Sequence, residues 1–172
     1  TGVGKSYVAA LFAVGLQAAY WKPVQSGADT DTAWVRRVTG LSAERLLPET
    51  YCLRAPLSPH EAARREGVQI EMDQLVLPAR ERLVVEGAGG GMVPLGDAHL
   101  MIDLIAALAL PVVVVARSEL GTINHTLLTL DQLRRRDCPV FGVVVNGPAN
   151  EANCRAIADY GQVRVLAAID QR

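Results

Sequence analysis

The chain opens Thr1-Gly2-Val3-Gly4-Lys5-Ser6 and runs directly into an apolar stretch with helical spacing. Glycines separated in this way let backbone N–H groups turn inward onto an anion, at a helix N-terminus that already carries partial positive charge. A lysine next in line supplies a point charge for β- and γ-phosphates, and a hydroxyl after it can ligate a magnesium ion. Gly2, Val3, Gly4, Lys5 and Ser6 therefore read as the second half of a phosphate-binding loop.

A second group lies at Leu83-Val84-Val85-Glu86-Gly87-Ala88-Gly89-Gly90-Gly91. An apolar strand here delivers a carboxylate to its end. An acid so placed reaches the cation beside a phosphate loop. Four glycines in the five residues 87–91 cost backbone entropy, which close backbone approach to a ligand at Gly87 and Gly89 would explain. The third group is Tyr20-Trp21-Lys22-Pro23-Val24-Gln25-Ser26-Gly27. A lysine at a strand end beside a phosphate loop can stabilise charge that develops during phosphoryl transfer. In isolation Lys22 reads first as a solvated strand-end lysine.

These groups need elements to position them. Helices are predicted at Tyr7–Val14, Asp31–Val38, Leu100–Leu108, Asn124–Arg135 and Glu151–Tyr160. Gly15 and Gly40 end the first two. Another helix starts at Ser58-Pro59-His60-Glu61, with Ser58 as cap, Pro59 in the first turn and Glu61 closing a capping box. Strands are predicted at Ala18–Lys22, Arg82–Glu86, Val112–Ala116, Val140–Val145 and Val163–Ala167. They are continuous Val/Leu runs, so both faces are covered, as in a parallel sheet. Strands alternating with helices give a doubly wound, mostly parallel α/β fold, whose ligands sit at the carboxyl ends of the strands. Every polar group above falls at such an end.

Composition narrows the choices further. Half of the 172 residues are apolar and the net charge is -1, enough for one core in one domain over residues 1–172. A near-neutral chain has no electrostatic drive toward nucleic acid or an anionic membrane. The one basic run, Arg134 to Arg136, complements a helix C-terminus. Cys52, Cys138 and Cys154 are odd in number and far apart, which suggests neither a zinc site nor a disulfide framework and fits a cytoplasmic protein. The apolar stretch Leu104–Ala116 contains Pro111 and is too short to span a bilayer.

Taken in order, TGVGKS at Thr1, KPVQSG at Lys22, SPHEAA at Ser58, VEGAGGG at Val85, LGTINHT at Leu120 and VVVNGP at Val143 resemble the dethiobiotin synthetases, across nearly the whole chain. The resemblance implies a P-loop nucleoside triphosphate hydrolase-like fold. It also implies a homodimeric enzyme that uses ATP, Mg²⁺, 7,8-diaminononanoate and CO₂ to close the ureido ring of dethiobiotin. Lys5 and Lys22 would be the catalytic lysines. Gly2, Val3, Gly4, Lys5, Ser6, Glu86, Gly87, Gly89 and Asn146 would bind ATP, Asn146 by reading adenine. Ser6, Glu86 and Asp31 would ligate the metal, with Asp29 an alternative to Asp31. Thr1, Lys22 and Ser26 would line the substrate site, and Gly121, Thr122 and Asn124 would reach the substrate carboxylate from the partner subunit. His60 and His125 fall inside the shared motifs, either as site residues or as local hydrogen-bonding groups.

The resemblance further implies an opening strand ending in Gly-Thr-Asp ahead of the loop, and segments after Val165 that enclose the base. Neither is in the chain, so a single ATP-binding domain lacking its first strand is expected. Two other functions share the loop and the acid–glycine strand end. One is a cobyrinate-type amide synthase, which KPVQSG and SPHEAA argue against. The other is a partitioning-type ATPase switch, which carries Gly where this chain has Thr1.

Overall fold

A computed structural model describes residues 2–170. The chain forms α1 (Lys5–Gly15), β1 (Ala19–Trp21), β2 (Val24–Ser26), α2 (Asp31–Thr39), β3 (Leu46–Leu47), β4 (Tyr51–Leu53) and α3 (Pro59–Glu66). There follow β5 (Leu83–Val85), α4 (Met101–Leu108), β6 (Val112–Arg117), α5 (Thr122–Arg134), β7 (Val140–Asn146), α6 (Glu151–Gly161) and β8 (Val165–Ile169). The fold is α/β, and every paired strand runs parallel to its neighbour. Two compact units divide within α1 and α4: one comprises residues 6–104, the other the loop before Ser6 together with residues from Ile105 onward.

In the first unit the strand order is β3-β1-β5, beside a separate β2-β4 pair. Strand β1 is buried at every position. Tyr20 pairs with Val84 and Trp21 with Val85. Alternation puts Tyr20 and Lys22 on one face of β1. On that face Tyr20 packs with Ala9, Ala10 and Ala13 of α1, Val35 of α2, and Leu41. The small residues of α1 recur at the three-to-four spacing of a buried helix stripe. Arg45 closes the C-terminal end of α1 by donating to Ala13 O at 2.7 Å and Ala18 O at 2.9 Å.

In the second unit the order is β6-β7-β8, with α5 packed on α6. Gly161 lets the two helices approach: a Cβ there would stand 3.0 Å from Leu130 Cδ1.

Two expectations need correction. Ser58 precedes α3 and Pro59 sits in its first turn, but Ser58 makes no side-chain cap. The box does not form because Glu61 is taken by Arg64 and Arg65, each at 2.8 Å. Those hydrogen bonds, Arg64's first, hold its carboxyl down at about 2. The strands β2, β3 and β4 are too short to carry a periodic signal and were not foreseen. The helix of the LGTINHT segment begins two residues earlier than its pattern suggested, at Thr122.

Gly142 lies inside β7, between its two neighbours. A Cβ there would meet Leu166 Cγ at 2.6 Å and Arg164 O at 2.8 Å. The carbonyl belongs to the adjoining chain segment and cannot rotate away as a side-chain tip could. Gly142→Ala is expected to cost about 1–3 kcal/mol by overpacking. The check is a lowered urea midpoint at unchanged denaturant slope; an unmoved midpoint would contradict the packing described.

Candidate active site

The first unit gathers its polar residues at the carboxyl ends of β1 and β5. The register Trp21↔Val85 continues one step further: Glu86 N donates to Trp21 O at 2.9 Å. Lys22 and Glu86 therefore leave their strands side by side and on one face. Both are 4% exposed, and Lys22 Nζ lies 3.3 Å from Glu86 Oε1.

Two helix N-termini complete the cluster. Ser6 is in the first turn of α1, on the same stripe as the buried alanines. Its Oγ lies 2.8 Å from Glu86 Oε1 and 2.9 Å from Asp31 Oδ1. Asp31 opens α2, where the helix dipole favours a carboxylate, and its Oδ2 forms an ion pair with Lys22. Thr30 caps that helix by accepting from Ala33 N at 3.1 Å. One hydroxyl proton serves only one acceptor at a time. Ser6 therefore donates to one of the two carboxylate oxygens at a time, and Lys22, paired with both carboxylates, supplies the positive charge that offsets their repulsion. The formal balance of Lys22, Asp31 and Glu86 is one negative charge.

Asp29 and Asp31 differ in placement. Asp31 joins the cluster, while Asp29 is exposed and offers its carbonyl to Gln25 at 3.5 Å. Ser26 Oγ is buried and has no hydrogen-bond partner within the chain. His60 Nδ1 is likewise buried without one.

The glycines after Glu86 have an internal reason. A Cβ on Gly87 would stand 3.3 Å from Met101 Sδ, and one on Gly89, at φ +73, only 2.9 Å from Val93 Cγ2. Gly87 thus packs against the start of α4, and Gly89 against Val93 of its own loop. A Cβ on Gly90 would meet open space.

In the second unit, Gly2 and Gly4 adopt φ 73 and 88, the left-handed conformation that a phosphate loop requires of glycine. Asn146, at the end of β7, donates through Nδ2 to Val3 O at 3.0 Å. It anchors the loop, which commits one of the two amide N–H groups expected to read a base. Gly121 precedes α5 at φ 91. Gly121, Asn124 and His125 are exposed, but the Thr122 side chain is buried at 2%. Leu120 is fully exposed. Thr1 lies outside the described residues.

Sequence reasoning gave no role to two residues of the cluster. Tyr20 OH donates to Glu86 Oε2 at 2.8 Å. Burial first, and then the charge of Glu86, push this phenol far above its ordinary value of about 10, so it is a neutral donor. Gln25, 4% exposed, accepts from Asp31 N at 3.2 Å and donates to Ser26 O at 2.8 Å, tying the loop to α2.

Comparison with known proteins agrees with this chemistry. A family model described as an AAA domain matches residues 1–172. The ATP-dependent dethiobiotin synthetase BioD of Paramagnetospirillum magneticum is 55% identical over 170 residues, 98% of this chain and 83% of that protein. The enzyme of the same name from Rhodopseudomonas palustris is 50% identical, covering 96% and 80%. The biotin biosynthesis bifunctional protein BioCD of Bordetella avium is 50% identical over 99% of this chain and 38% of its own length. These likenesses do not favour an amide synthase or a partitioning ATPase.

Lys22 is the cation that two carboxylates share in a largely dry place. Removing one partner of a buried ion pair leaves an uncompensated charge. Lys22→Met is therefore expected to lower folding stability by about 3–5 kcal/mol, and Lys22→Met with Glu86→Gln by clearly less than the sum of the two. Additive losses in denaturant melts would show that the three charges are not coupled.

Proposed function

The chain belongs to the ATP-dependent dethiobiotin synthetase family, and we propose that its own residues run that reaction at the Ser6–Lys22–Asp31–Glu86 cluster. The observation that carries this reading is the convergence of three oxygens and a buried lysine at the carboxyl ends of β1 and β5, one residue after Lys5 of the phosphate loop.

The donor set fits Mg²⁺. Ser6 Oγ, Asp31 Oδ1 and Glu86 Oε1 are hard oxygens held within hydrogen-bond distance through one hydroxyl. Among the described residues no cluster of three or more His, Cys, Asp or Glu could hold a metal. Mg²⁺ suits such a sparse site because it keeps several waters and takes phosphate oxygens. When bound, it would neutralise charge on the β- and γ-phosphates.

The substrates are ATP, 7,8-diaminononanoate and CO₂. One amine captures CO₂ as a carbamate. A carbamate oxygen takes the γ-phosphoryl group, the second amine attacks the mixed anhydride, and phosphate leaves as the ring closes. Backbone N–H groups of Gly2, Val3 and Gly4 hold phosphate oxygens, and Lys5 meets their charge. Gly87 and Gly89 shape the turn beside the nucleotide, and Asn146 holds the loop and approaches the base. Lys22 stabilises charge on the transferring group, and the unpartnered Ser26 hydroxyl meets the carbamate, with Thr1 nearby. Such a site works mainly by alignment and charge stabilisation.

The exposed corner at Leu120, Gly121 and Asn124 supports a homodimer in which α5's N-terminal end receives the substrate carboxylate of the other subunit. Thr122 would contribute there by shaping the turn. The three free cysteines accord with the cytoplasm. Among the described residues no helix is long and apolar enough to cross a membrane.

The deciding assay is ATP-dependent conversion of diaminononanoate and bicarbonate to dethiobiotin by the full-length protein; ATP turnover without dethiobiotin would reject the reading. Lys22→Gln is expected to lower kcat at least about hundredfold while ATP affinity changes little, since its partner is charge in the transition state. Mixing Lys22→Gln with Asn124→Ala subunits is expected to restore part of the activity. No recovery from a verified hybrid would argue against a shared site.

A further inference from the structure

The two oxygens of Glu86 have different partners. Oε1 faces Ser6 at 2.8 Å and Lys22 at 3.3 Å, whereas Oε2 accepts from Tyr20 OH at 2.8 Å. Ser6 and Lys22 act on one oxygen only. The terminal torsion of a glutamate is broad, so two contacts at Oε1 leave the carboxylate plane free to turn about it. A donor on the second oxygen removes that freedom, provided the donor is itself fixed. Tyr20 is fixed: it is 0% exposed, and its ring is held among Ala9, Ala10, Ala13, Val35 and Leu41. The core has no use for its hydroxyl. A buried hydroxyl is costly without a partner, and phenylalanine would fill the same space. The hydroxyl is explained by Glu86.

We infer that Tyr20 is a positioning residue for the reaction, a donor that locks the Glu86 carboxylate so that its other oxygen is presented to the cation and to Ser6. The inference rests on the reading of Ser6, Asp31 and Glu86 as the metal-binding oxygens. Because its hydroxyl is already committed as donor to Glu86 Oε2, Tyr20 acts as a hydrogen-bond donor and not as a ligand. Outer partners of metal-ligating groups typically carry about 10–100-fold of metal affinity.

The test uses the full-length protein with Mn²⁺ and ADP as probes, free Mn²⁺ being read by electron-spin resonance. Tyr20→Phe keeps every ring carbon, so the packing is retained. It is expected to weaken Mn²⁺ binding about tenfold or more and to leave ADP affinity in excess chelator unchanged. In a Glu86→Gln background it is expected to cause almost no further loss of Mn²⁺ affinity. If Tyr20→Phe lowers the melting temperature but not Mn²⁺ affinity, or weakens Mn²⁺ equally in the Glu86→Gln background, the hydroxyl is structural and the inference fails. If Glu86→Gln weakens Mn²⁺ and Tyr20→Phe does not, Tyr20 alone is misread. If Glu86→Gln itself leaves Mn²⁺ binding intact, the metal-site reading falls, and this inference with it.

Discussion

The parallel register of β1 and β5 is the constraint on which the cluster depends. Once Glu86 N bonds Trp21 O, Lys22 and Glu86 must emerge at one level and on one face. A slip of one residue would turn each side chain to the other face of the sheet. A carboxylate and an ammonium that are both 4% exposed tolerate this burial only as partners. Their mutual need and the backbone ladder reinforce one another, which is how a three-residue strand pair can be specified.

Helix placement follows from the same face. α1 and α2 cover β1, and each brings its N-terminal turn to the strand ends. Ser6 and Asp31 are therefore delivered by the elements that bury Tyr20. Gln25 fixes the connection between β2 and α2 by using both ends of its amide. No part of the cluster is carried by a long loop. Groups that must be aligned for phosphoryl transfer are better held by packed elements than by mobile ones.

Much of this was legible in the sequence, and for identifiable reasons. A continuous apolar run ending in a charged residue marks a buried parallel strand and its functional end, so Glu86 stood out, and Lys22 did once the KPVQSG motif was added. Helix limits followed from Gly15, Gly40 and the apolar spacing. Tyr20 did not stand out, because an aromatic in a buried strand reads as core, which it also is. Gln25 sat on a strand of three residues, too short for any period to show. Glu61 matched a capping box by spacing alone, but two arginines one turn onward compete for it. The glycines after Glu86 were read as room for a ligand; Met101, well along the chain, and Val93, in the same loop, also crowd Gly87 and Gly89.

The core also sets the reach of the site. Ala9, Ala10 and Ala13 of α1 share one buried cluster with Tyr20, and their small size lets the helix lie close over the strand. Interiors are packed densely enough that one added methylene is felt. A larger residue at Ala9 or Ala10 would lift the first turn of α1 off the sheet and carry Ser6 away from Glu86 and Asp31. Hydrogen bonds of 2.8 and 2.9 Å weaken sharply over a few tenths of an ångström. The alanine stripe is thus part of the site's geometry. Tyr20 joins the two roles: its ring measures the distance between helix and sheet, and its hydroxyl passes that distance on to Glu86.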